Sequence, residues 1–289
     1  GLMLDGLRRL EYRGYDSAGL AVVEDGRIEM RRAAGRIAAL EQALGTDRPT
    51  GTTGIAHTRW ATHGAPTVIN AHPHTDCDGT LVVVHNGIIE NYLEIKDRLL
   101  AEGHRFKSQT DTEVVAHLIE HHLRATGRLD RAVKAALKEV TGSYAIGVVS
   151  TAAPDRLIAA KQGAGSVVVG LGQGENFLAS DAAALLDRTR DVIYLEEGDV
   201  VELRPGGVSI RDGGGRPVAR SVTRSALDAD AVEKGRYAHY MQKEIFEQPG
   251  AVANTLEMVA NAQSLQPNLF GAEAHDVLAR ANQVLLLAC

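Results

Sequence analysis

Residues 57–64 read His57-Thr58-Arg59-Trp60-Ala61-Thr62-His63-Gly64, and they continue a buried strand predicted over 54–58. A second buried strand, predicted over 81–85, leads directly into Asn86-Gly87. Asp111 stands in a polar loop just before a predicted helix. Because these polar groups all lie at the ends of buried or helical elements, we expect them to converge on one pocket.

The residue types in this pocket suit the recognition of a free amino acid. Arg59 can form a bidentate pair with a carboxylate, and Asp111 can accept hydrogen bonds from an α-ammonium group. Asn86 and Gly87 can present an amide side chain and a backbone N–H to a developing oxyanion. Trp60 can close over the pocket. The ordered combination indicates a site for chemistry on a side-chain amide.

Each of these residues, taken alone, also has a simpler structural interpretation. Arg59 would then form a surface ion pair, and Asp111 would cap the helix that follows it. Asn86-Gly87 would be a turn, and Trp60 would be a core residue. Only the order of the segments favours a functional site over these alternatives.

The rest of the chain predicts an α+β fold, because strands are followed by helices and then by more strands. Glu24-Asp25-Gly26-Arg27 predicts a hairpin turn. Helices are predicted up to Leu10 and over 36–44, 92–102, 112–123, 129–140, 240–247, 251–262 and 272–281. Later strands are predicted over 144–149, 157–160, 167–171, 177–180, 192–195, 200–203, 208–210 and 284–289. We expect a domain over 1–220, a linker over 221–238 and the start of a second domain over 239–289.

Composition excludes several classes of function. The formal net charge of −6 offers no basic field for nucleic acid. The apolar runs, such as 81–84 and 284–289, are far shorter than the roughly 20 residues that span a bilayer. The two cysteines, Cys77 and Cys289, make no disulfide framework, which favours a reducing cytoplasm.

A metal site is not expected from the sequence. His72, His74, Cys77 and His85 lie close together along the chain, but the spacing His-x-His-x-x-Cys matches no common zinc pattern. A solvated loop is the favoured interpretation of this segment. Cys77 is also a poor candidate for a nucleophile of the N-terminal type, since it is internal and has no α-amine to act as its base.

Four segments carry a resemblance to a known family. These segments are residues 11–19 (EYRGYDSAG), the stretch around Trp60, residues 85–91 (HNGIIEN) and Asp111. They resemble the glutamine–fructose-6-phosphate aminotransferases, and residues 240–249 (YMQKEIFEQP) resemble the entry of that family into its sugar isomerase half. The resemblance covers essentially the whole chain. It implies a four-layer α/β/β/α N-terminal-nucleophile hydrolase domain followed by the first helices of an α/β sugar isomerase domain.

The resemblance also implies roles for individual residues. Arg59 would hold the carboxylate of glutamine and Asp111 its ammonium group, while Thr62 and His63 would line the site. Asn86 and Gly87 would form the oxyanion hole, Trp60 would gate an ammonia channel, and Arg13 would lie near the nucleophile. The implied reaction moves the amide nitrogen of glutamine to fructose 6-phosphate without a metal or cofactor.

The family's N-terminal cysteine and first strand have no counterpart in this sequence, and most of the isomerase half is missing. We therefore expect a fragment truncated at both ends, inactive by itself, from a parent that is a cytoplasmic homo-oligomer. Fructose 6-phosphate would bind only through the missing half. Two other readings stay open: a non-catalytic glutamine-binding module, and the glutaminase half of amidophosphoribosyltransferase.

Overall fold

The computed structural model describes residues 1–46, 48–163, 165–225, 237–259 and 280–281. The chain divides after Glu233 into two compact units. Nearly all the described secondary structure belongs to the first unit. The second unit contributes one described helix.

The helices and strands fall close to the positions that the sequence pattern predicts. The helices are α1 (Leu2–Leu10), α2 (Ile37–Leu44), α3 (Tyr92–Ala101), α4 (Thr112–Thr126), α5 (Leu129–Leu137) and α6 (Tyr240–Val259). The first strands are β1 (Ser17–Glu24), β2 (Arg27–Ala34), β3 (Thr53–Arg59), β4 (His74–Thr75), β5 (Leu81–Ile89), β6 (Gly142–Ser150) and β7 (Leu157–Gln162). The later strands are β8 (Val168–Leu171), β9 (Asn176–Ala179), β10 (Asp191–Tyr194), β11 (Val200–Arg204), β12 (Gly207–Arg211), β13 (Pro217–Val218) and β14 (Thr223–Arg224).

The strands form three sheets, and every pairing within them is antiparallel. A seven-stranded sheet has the order β13-β12-β11-β7-β6-β5-β4. A three-stranded sheet, β2-β1-β3, and a four-stranded sheet, β14-β10-β8-β9, lie against it. Apolar residues such as Ile55, Val82 and Val149 fill the space between the three-stranded and seven-stranded sheets.

Helices cover the outer faces of these sheets. Helices α1 and α2 pack on the three-stranded sheet through Leu4, Leu7 and Leu40. Helices α3, α4 and α5 cover the seven-stranded sheet and bury the largest apolar cluster of the chain's described part, which includes Leu99 and Ile119. The result is the four-layer α/β/β/α arrangement that the resemblance implies, so the fold prediction is confirmed.

The first hairpin shows how local sequence sets the register of a sheet. Asp25 and Gly26 join β1 to β2, and both have positive φ angles, of 49° and 72°. Two consecutive positive φ values are the geometry of a type I′ turn, which matches the twist of the flanking strands. The turn places Glu24 opposite Arg27 and fixes the pairing of the remaining seven residues on each strand.

Three elements differ from the sequence prediction. Strand β5 does not end at His85 but continues through Asn86 and Gly87 to Ile89, because β6 pairs with it along the whole length. Strand β14 lies inside the predicted linker 221–238 and pairs with Asp191 and Val192 of β10. Helix α6 is a single helix that contains Pro249, where two helices were predicted.

Several predicted features lie outside the described residues. They are the central part of the linker 221–238, most of the helix predicted over 272–281, and the strand predicted over 284–289. The division into domains over 1–220 and 239–289 stays a prediction. None of the described helices is long and apolar enough to cross a membrane.

Candidate active site

The candidate site lies where β3, β5 and the start of α4 meet. His57 and Arg59 project from β3, and the loop that follows carries the predicted residues Thr62 and His63. Strand β5 contributes Asn86 and Gly87. Asp111 stands immediately before α4. The fold therefore brings together segments that are more than 50 residues apart in sequence.

Arg59 is a buried cation held by carbonyl groups. Its side chain is 4% exposed and donates to the backbone oxygens of His63, Gly64 and Ala65. The nearest carboxylate is that of Asp16, whose Oδ1 lies 3.9 Å from Nη1 and beyond hydrogen-bonding distance. Burial lowers the pKa of Arg59 from its usual value. The interpretation of Arg59 as a surface ion pair is therefore wrong, and its charge lacks a hydrogen-bonded counterion among the described residues.

Asp111 is a buried carboxylate with one oxygen used by the fold. Its Oδ2 accepts the backbone N–H of Ile89 at 2.9 Å, at the end of β5. Its Oδ1 lies 3.9 Å from Nδ1 of His63, and no hydrogen bond to Oδ1 is present in the described structure. The side chain does not cap α4, contrary to the simpler interpretation of the sequence. One oxygen thus stays available to a cationic ligand.

Asn86 is oriented by a histidine on the neighbouring layer. The Nε2–H of His57 donates to Oδ1 of Asn86 at 2.8 Å, so the Nδ2 amide of Asn86 is left to act as a donor. Gly87 follows with a φ of 137°, a conformation that favours glycine. Both residues are exposed and paired within the β5–β6 ladder, opposite Ala145 and Tyr144. The prediction that they follow a strand is wrong, although their role as an oxyanion hole stays a prediction.

A cluster of four histidines lies next to Asn86: His57, His72, His74 and His85. The rings of His57 and His72 stack with centroids 4.3 Å apart, and His74 meets His72 edge-on. The backbone N–H of His85 donates to Nδ1 of His72 at 3.3 Å, and Nδ1 of His85 lies 2.9 Å from Oγ1 of Thr112. These contacts join β5, which carries Asn86 and Gly87, to the first turn of α4.

The solvated-loop interpretation of this histidine segment is wrong. His72, His74 and His85 are at most 5% exposed. The reason is that His74 belongs to β4, which pairs with β5 at one edge of the seven-stranded sheet. Sequence periodicity gave no signal for so short a strand.

Protonation of this histidine cluster makes the free energy of unfolding depend on pH. Burial lowers the pKa of His57 from 6.5 to about 4, so the folded protein keeps it neutral where the unfolded chain binds a proton. The stabilisation is complete above pH 6.5 and is lost as the pH falls towards 4, with a slope of up to about 1.4 kcal/mol per pH unit. Urea midpoints measured across this range should fall, and less steeply in His57→Gln. The exposed His239→Gln change should leave the slope unaltered; equal slopes for all three proteins would contradict the assignment.

The remaining predicted site residues lie at the rim. Trp60 is 61% exposed and meets Tyr15 edge-on at 5.5 Å, so it is not the core residue that the simpler interpretation suggests. Thr62 is exposed beside His63. Arg13 forms an ion pair with Asp181 at 2.5 Å, which joins the loop after α1 to the segment after β9. None of these contacts tests the roles of gate, lining or nucleophile support.

Asp16 was missed as a site residue. Its two carboxylate oxygens accept the backbone N–H of Ala61 and the hydroxyl of Ser17, and its backbone N–H donates to the carbonyl of Arg59 at 3.2 Å. Asp16 therefore fixes the start of the loop that holds Arg59. Its place in the loop 11–19 was visible in the sequence, but its contact with a segment 45 residues away was not.

The sequence comparisons agree with this geometry. Residues 57–187 match the family described as a glutamine amidotransferase domain. The chain is 49% identical over its full length to the isomerizing glutamine–fructose-6-phosphate aminotransferase of Idiomarina loihiensis. It is 47% and 48% identical to those of Haemophilus influenzae and Pseudomonas aeruginosa. The chain spans about half the length, 47%, of each of these curated relatives.

Solved structures show the same fold. The glutamine phosphoribosylpyrophosphate amidotransferase of B. subtilis matches with a TM-score of 0.62 and 25% identity, over 73% of this chain and 46% of that one. A structure described as the allosteric regulatory enzyme of purine biosynthesis matches with a TM-score of 0.61 and 26% identity, over the same shares.

Proposed function

We propose a function from the premise that this chain, over all of its 289 residues, belongs to the glutamine–fructose-6-phosphate aminotransferases. Its first unit forms the site that binds glutamine and stabilises the oxyanion of its side-chain amide. In the whole protein, the released nitrogen converts fructose 6-phosphate to glucosamine 6-phosphate and leaves glutamate. Because the chain spans only half of its relatives, that overall reaction is proposed for the parent protein and not for these residues alone.

One observation carries the proposal: a buried cation and a buried anion, each incompletely paired, flank the same loop. Among the described residues, the guanidinium of Arg59 donates only to backbone carbonyls, and it can also donate to a carboxylate. The free Oδ1 of Asp111 can accept an α-ammonium group. Uncompensated buried charges are costly unless a partner completes them, and a zwitterionic amino acid supplies both partners at once.

The fixed orientation of the Asn86 amide supports the proposed reaction at the side-chain amide of glutamine. A donor fixed by His57 before the substrate arrives costs no reorganisation when charge develops on the amide oxygen. We assign Asn86 and Gly87 to the oxyanion hole, and Thr62 and His63 to the lining of the site. Trp60 is proposed as the gate, and Arg13 as support for the nucleophile.

The nucleophile is not supplied by Cys77. That thiol is half-buried beside His104 and His117, and burial raises its pKa, so little thiolate forms at neutral pH. Cys289 lies outside the described residues. We therefore propose that these 289 residues bind glutamine without hydrolysing it, which keeps the glutamine-binding module as the second candidate function.

The glutaminase half of amidophosphoribosyltransferase is less well supported. The solved structures of that class share the fold at about a quarter identity, whereas the aminotransferases share nearly half of the residues along the whole chain. Binding of fructose 6-phosphate, homo-oligomeric assembly and a cytoplasmic location are proposed for the parent protein.

Calorimetry with glutamine tests the proposal through Asp111. In Asp111→Asn the side-chain oxygen can still accept the N–H of Ile89, but the negative charge that holds an ammonium group is gone. We expect the dissociation constant for glutamine to rise at least tenfold, about 1.4 kcal/mol, with little change in the unfolding midpoint.

The matched control is Asp97→Asn, which removes a carboxylate from an exposed position on α3. It should leave glutamine binding unchanged. An unaltered affinity in Asp111→Asn would remove the ammonium site from the proposal. Release of glutamate by the 289-residue chain above a protein-free blank would show that the binding-only assignment is wrong.

A further inference from the structure

A cluster of four potential metal ligands lies outside the candidate active site. Cys77 belongs to the turn between β4 and β5, and His104 to the loop after α3. His117 and Glu120 stand three residues apart on one face of α4. Their ligand atoms all lie within 4.8 Å of one another, and the two histidines and the glutamate are at most 4% exposed. Three separate segments of the chain thus meet at one buried point.

The distances between these atoms match those between the ligands of a tetrahedral metal ion. Nδ1 of His104 and Nδ1 of His117 are 3.4 Å apart, and they lie 3.1 and 3.2 Å from Oε2 of Glu120. Sγ of Cys77 lies 3.8 and 3.5 Å from the same two nitrogens. Tetrahedral zinc with ordinary bond lengths needs about 3.3 Å between nitrogen or oxygen ligands and about 3.6 Å between sulfur and nitrogen.

One neutral tautomer of His117 leaves room for a cation between its ring and Glu120. Its Nε2 lies 3.7 Å from Oε1 of Glu113, and a neutral ring has only one N–H for its two nitrogens. If Nε2–H faces Glu113, the lone pair of Nδ1 points at the carboxylate oxygen of Glu120. Such facing lone pairs repel in a buried site, and a metal ion between them removes the repulsion. The competing arrangement is the other neutral tautomer, in which Nδ1–H donates to Oε2 of Glu120 and Nδ1 binds no metal.

Outer contacts orient two of the four side chains, Cys77 and Glu120. The backbone N–H of Arg105 donates to Sγ of Cys77 at 3.4 Å. Arg124 pairs with Oε1 of Glu120, and the N–H of Cys77 donates to Oε2 at 3.1 Å. Glu120 is therefore oriented to give one oxygen to an ion, and the thiolate receives the N–H bond typical of supported metal ligands.

We propose that Cys77, His104, His117 and Glu120 form a structural zinc site. One thiolate, two neutral imidazoles and one carboxylate balance the charge of a divalent ion, and thiolate with imidazole favours zinc over the harder cations. Four protein ligands leave no open position for a water or substrate. The ion therefore ties two loops to helix α4 and takes no part in chemistry.

The site is linked to the candidate active site through Glu113. This carboxylate faces His117 and accepts the backbone N–H groups of Lys107 and Ser108 at 2.8 and 2.6 Å. Those residues begin the loop that ends at Asp111, which holds the proposed ammonium position. Zinc thus orients His117, and His117 faces Glu113. Glu113 in turn fixes the start of the loop that leads to Asp111. The metal has a positioning role, and the expectation of no metal from the sequence is revised by this proposal.

Metal analysis of the purified protein is the direct test. Expressed with zinc in the medium and gel-filtered, the wild-type protein should carry about one zinc per chain. Stripped protein titrated with Co(II) should develop the sulfur-to-cobalt charge-transfer band of a thiolate ligand, together with the d–d bands of a tetrahedral ion. Wild-type protein that carries less than a tenth of an equivalent of zinc, and shows no such band with Co(II), overturns the proposal.

Matched variants locate the ligands. Cys77→Ser should abolish the charge-transfer band and lower the zinc content about tenfold, whereas Cys289→Ser should change neither. His121→Ala distinguishes the proposed set from a neighbouring group of Glu102, His104 and His121. The site as proposed survives this change, and loss of cobalt binding in His121→Ala contradicts it.

A stability measurement keeps the proposal testable if the cysteine variant folds poorly. Removal of the metal with a chelator should lower the thermal midpoint of the wild-type protein by several degrees, and added zinc should restore it. A midpoint that is unchanged by stripping and by added zinc counts against a structural metal. The readout depends on neither glutamine nor catalysis, so it is separate from the test of the proposed function.

Discussion

Replacement of Gly87 by alanine is expected to destabilise the protein by at least about 3 kcal/mol. A Cβ at this position would lie 2.0 Å from the carbonyl oxygen of Ser143 and 2.9 Å from Nε2 of His85. The φ of 137° is also one that alanine rarely adopts. Neither strain can be relieved locally, because β5 and β6 are paired on both sides of Gly87.

Urea unfolding gives the measurement, with Gly206→Ala as the control. Gly206 lies in the turn between β11 and β12, and no atom lies within 4 Å of a Cβ built there. That variant should unfold within about 0.5 kcal/mol of the wild type. If Gly87→Ala unfolds at the same midpoint as its control, the tight packing of β5 against β6 at this residue is disproved.

Replacement of Arg59 by lysine is expected to weaken glutamine binding about 100-fold, close to 3 kcal/mol. The guanidinium bonds three backbone carbonyls and is proposed to pair with a carboxylate as well. A lysine ammonium has three donors on one atom and lacks the planar fork that serves both sets of partners. The loop that Arg59 holds should loosen, and the carboxylate should lose its bidentate contact.

The dissociation constant from calorimetry decides this prediction. Arg8→Lys provides the control, since Arg8 is an exposed residue of α1 that pairs with Asp5 and Glu41. It should leave both affinity and unfolding midpoint unchanged. Wild-type affinity in Arg59→Lys would mean that the substrate carboxylate binds elsewhere, even if the protein remains fully folded.

Local sequence signals predicted most of the first unit, and the failures share a physical cause. The hairpin at Asp25-Gly26 and helix α4 are encoded by a turn dipeptide and by apolar periodicity, both of which act over a few residues. The end of β5 was misplaced because Asn86-Gly87 is a strong turn signal taken alone. Pairing with β6, where Gly87 lies opposite Tyr144, overrides that signal. Strand β14, only two residues long, carries no pattern that distinguishes it from a linker.

The candidate site shows the same limit. The order of Arg59, Asn86 and Asp111 predicted a single site, but the burial of Arg59 and the free oxygen of Asp111 depend on contacts between distant segments. Cys77 was compared with its sequence neighbours His72 and His74, although its spatial neighbours are His104 and His117. The three-residue spacing of His117 and Glu120 on a helix was the one local sign of the proposed metal site.

Trp60 is the one tryptophan of the chain, and it stands exposed at the rim of the candidate site. Nearly all of the intrinsic fluorescence excited at the long-wavelength edge of the protein's ultraviolet absorption therefore originates from a single indole on this loop. A change in its emission maximum, or in quenching by iodide, reports on the loop and not on the core. Ligand titrations and stopped-flow traces can thus follow the site optically without an attached dye.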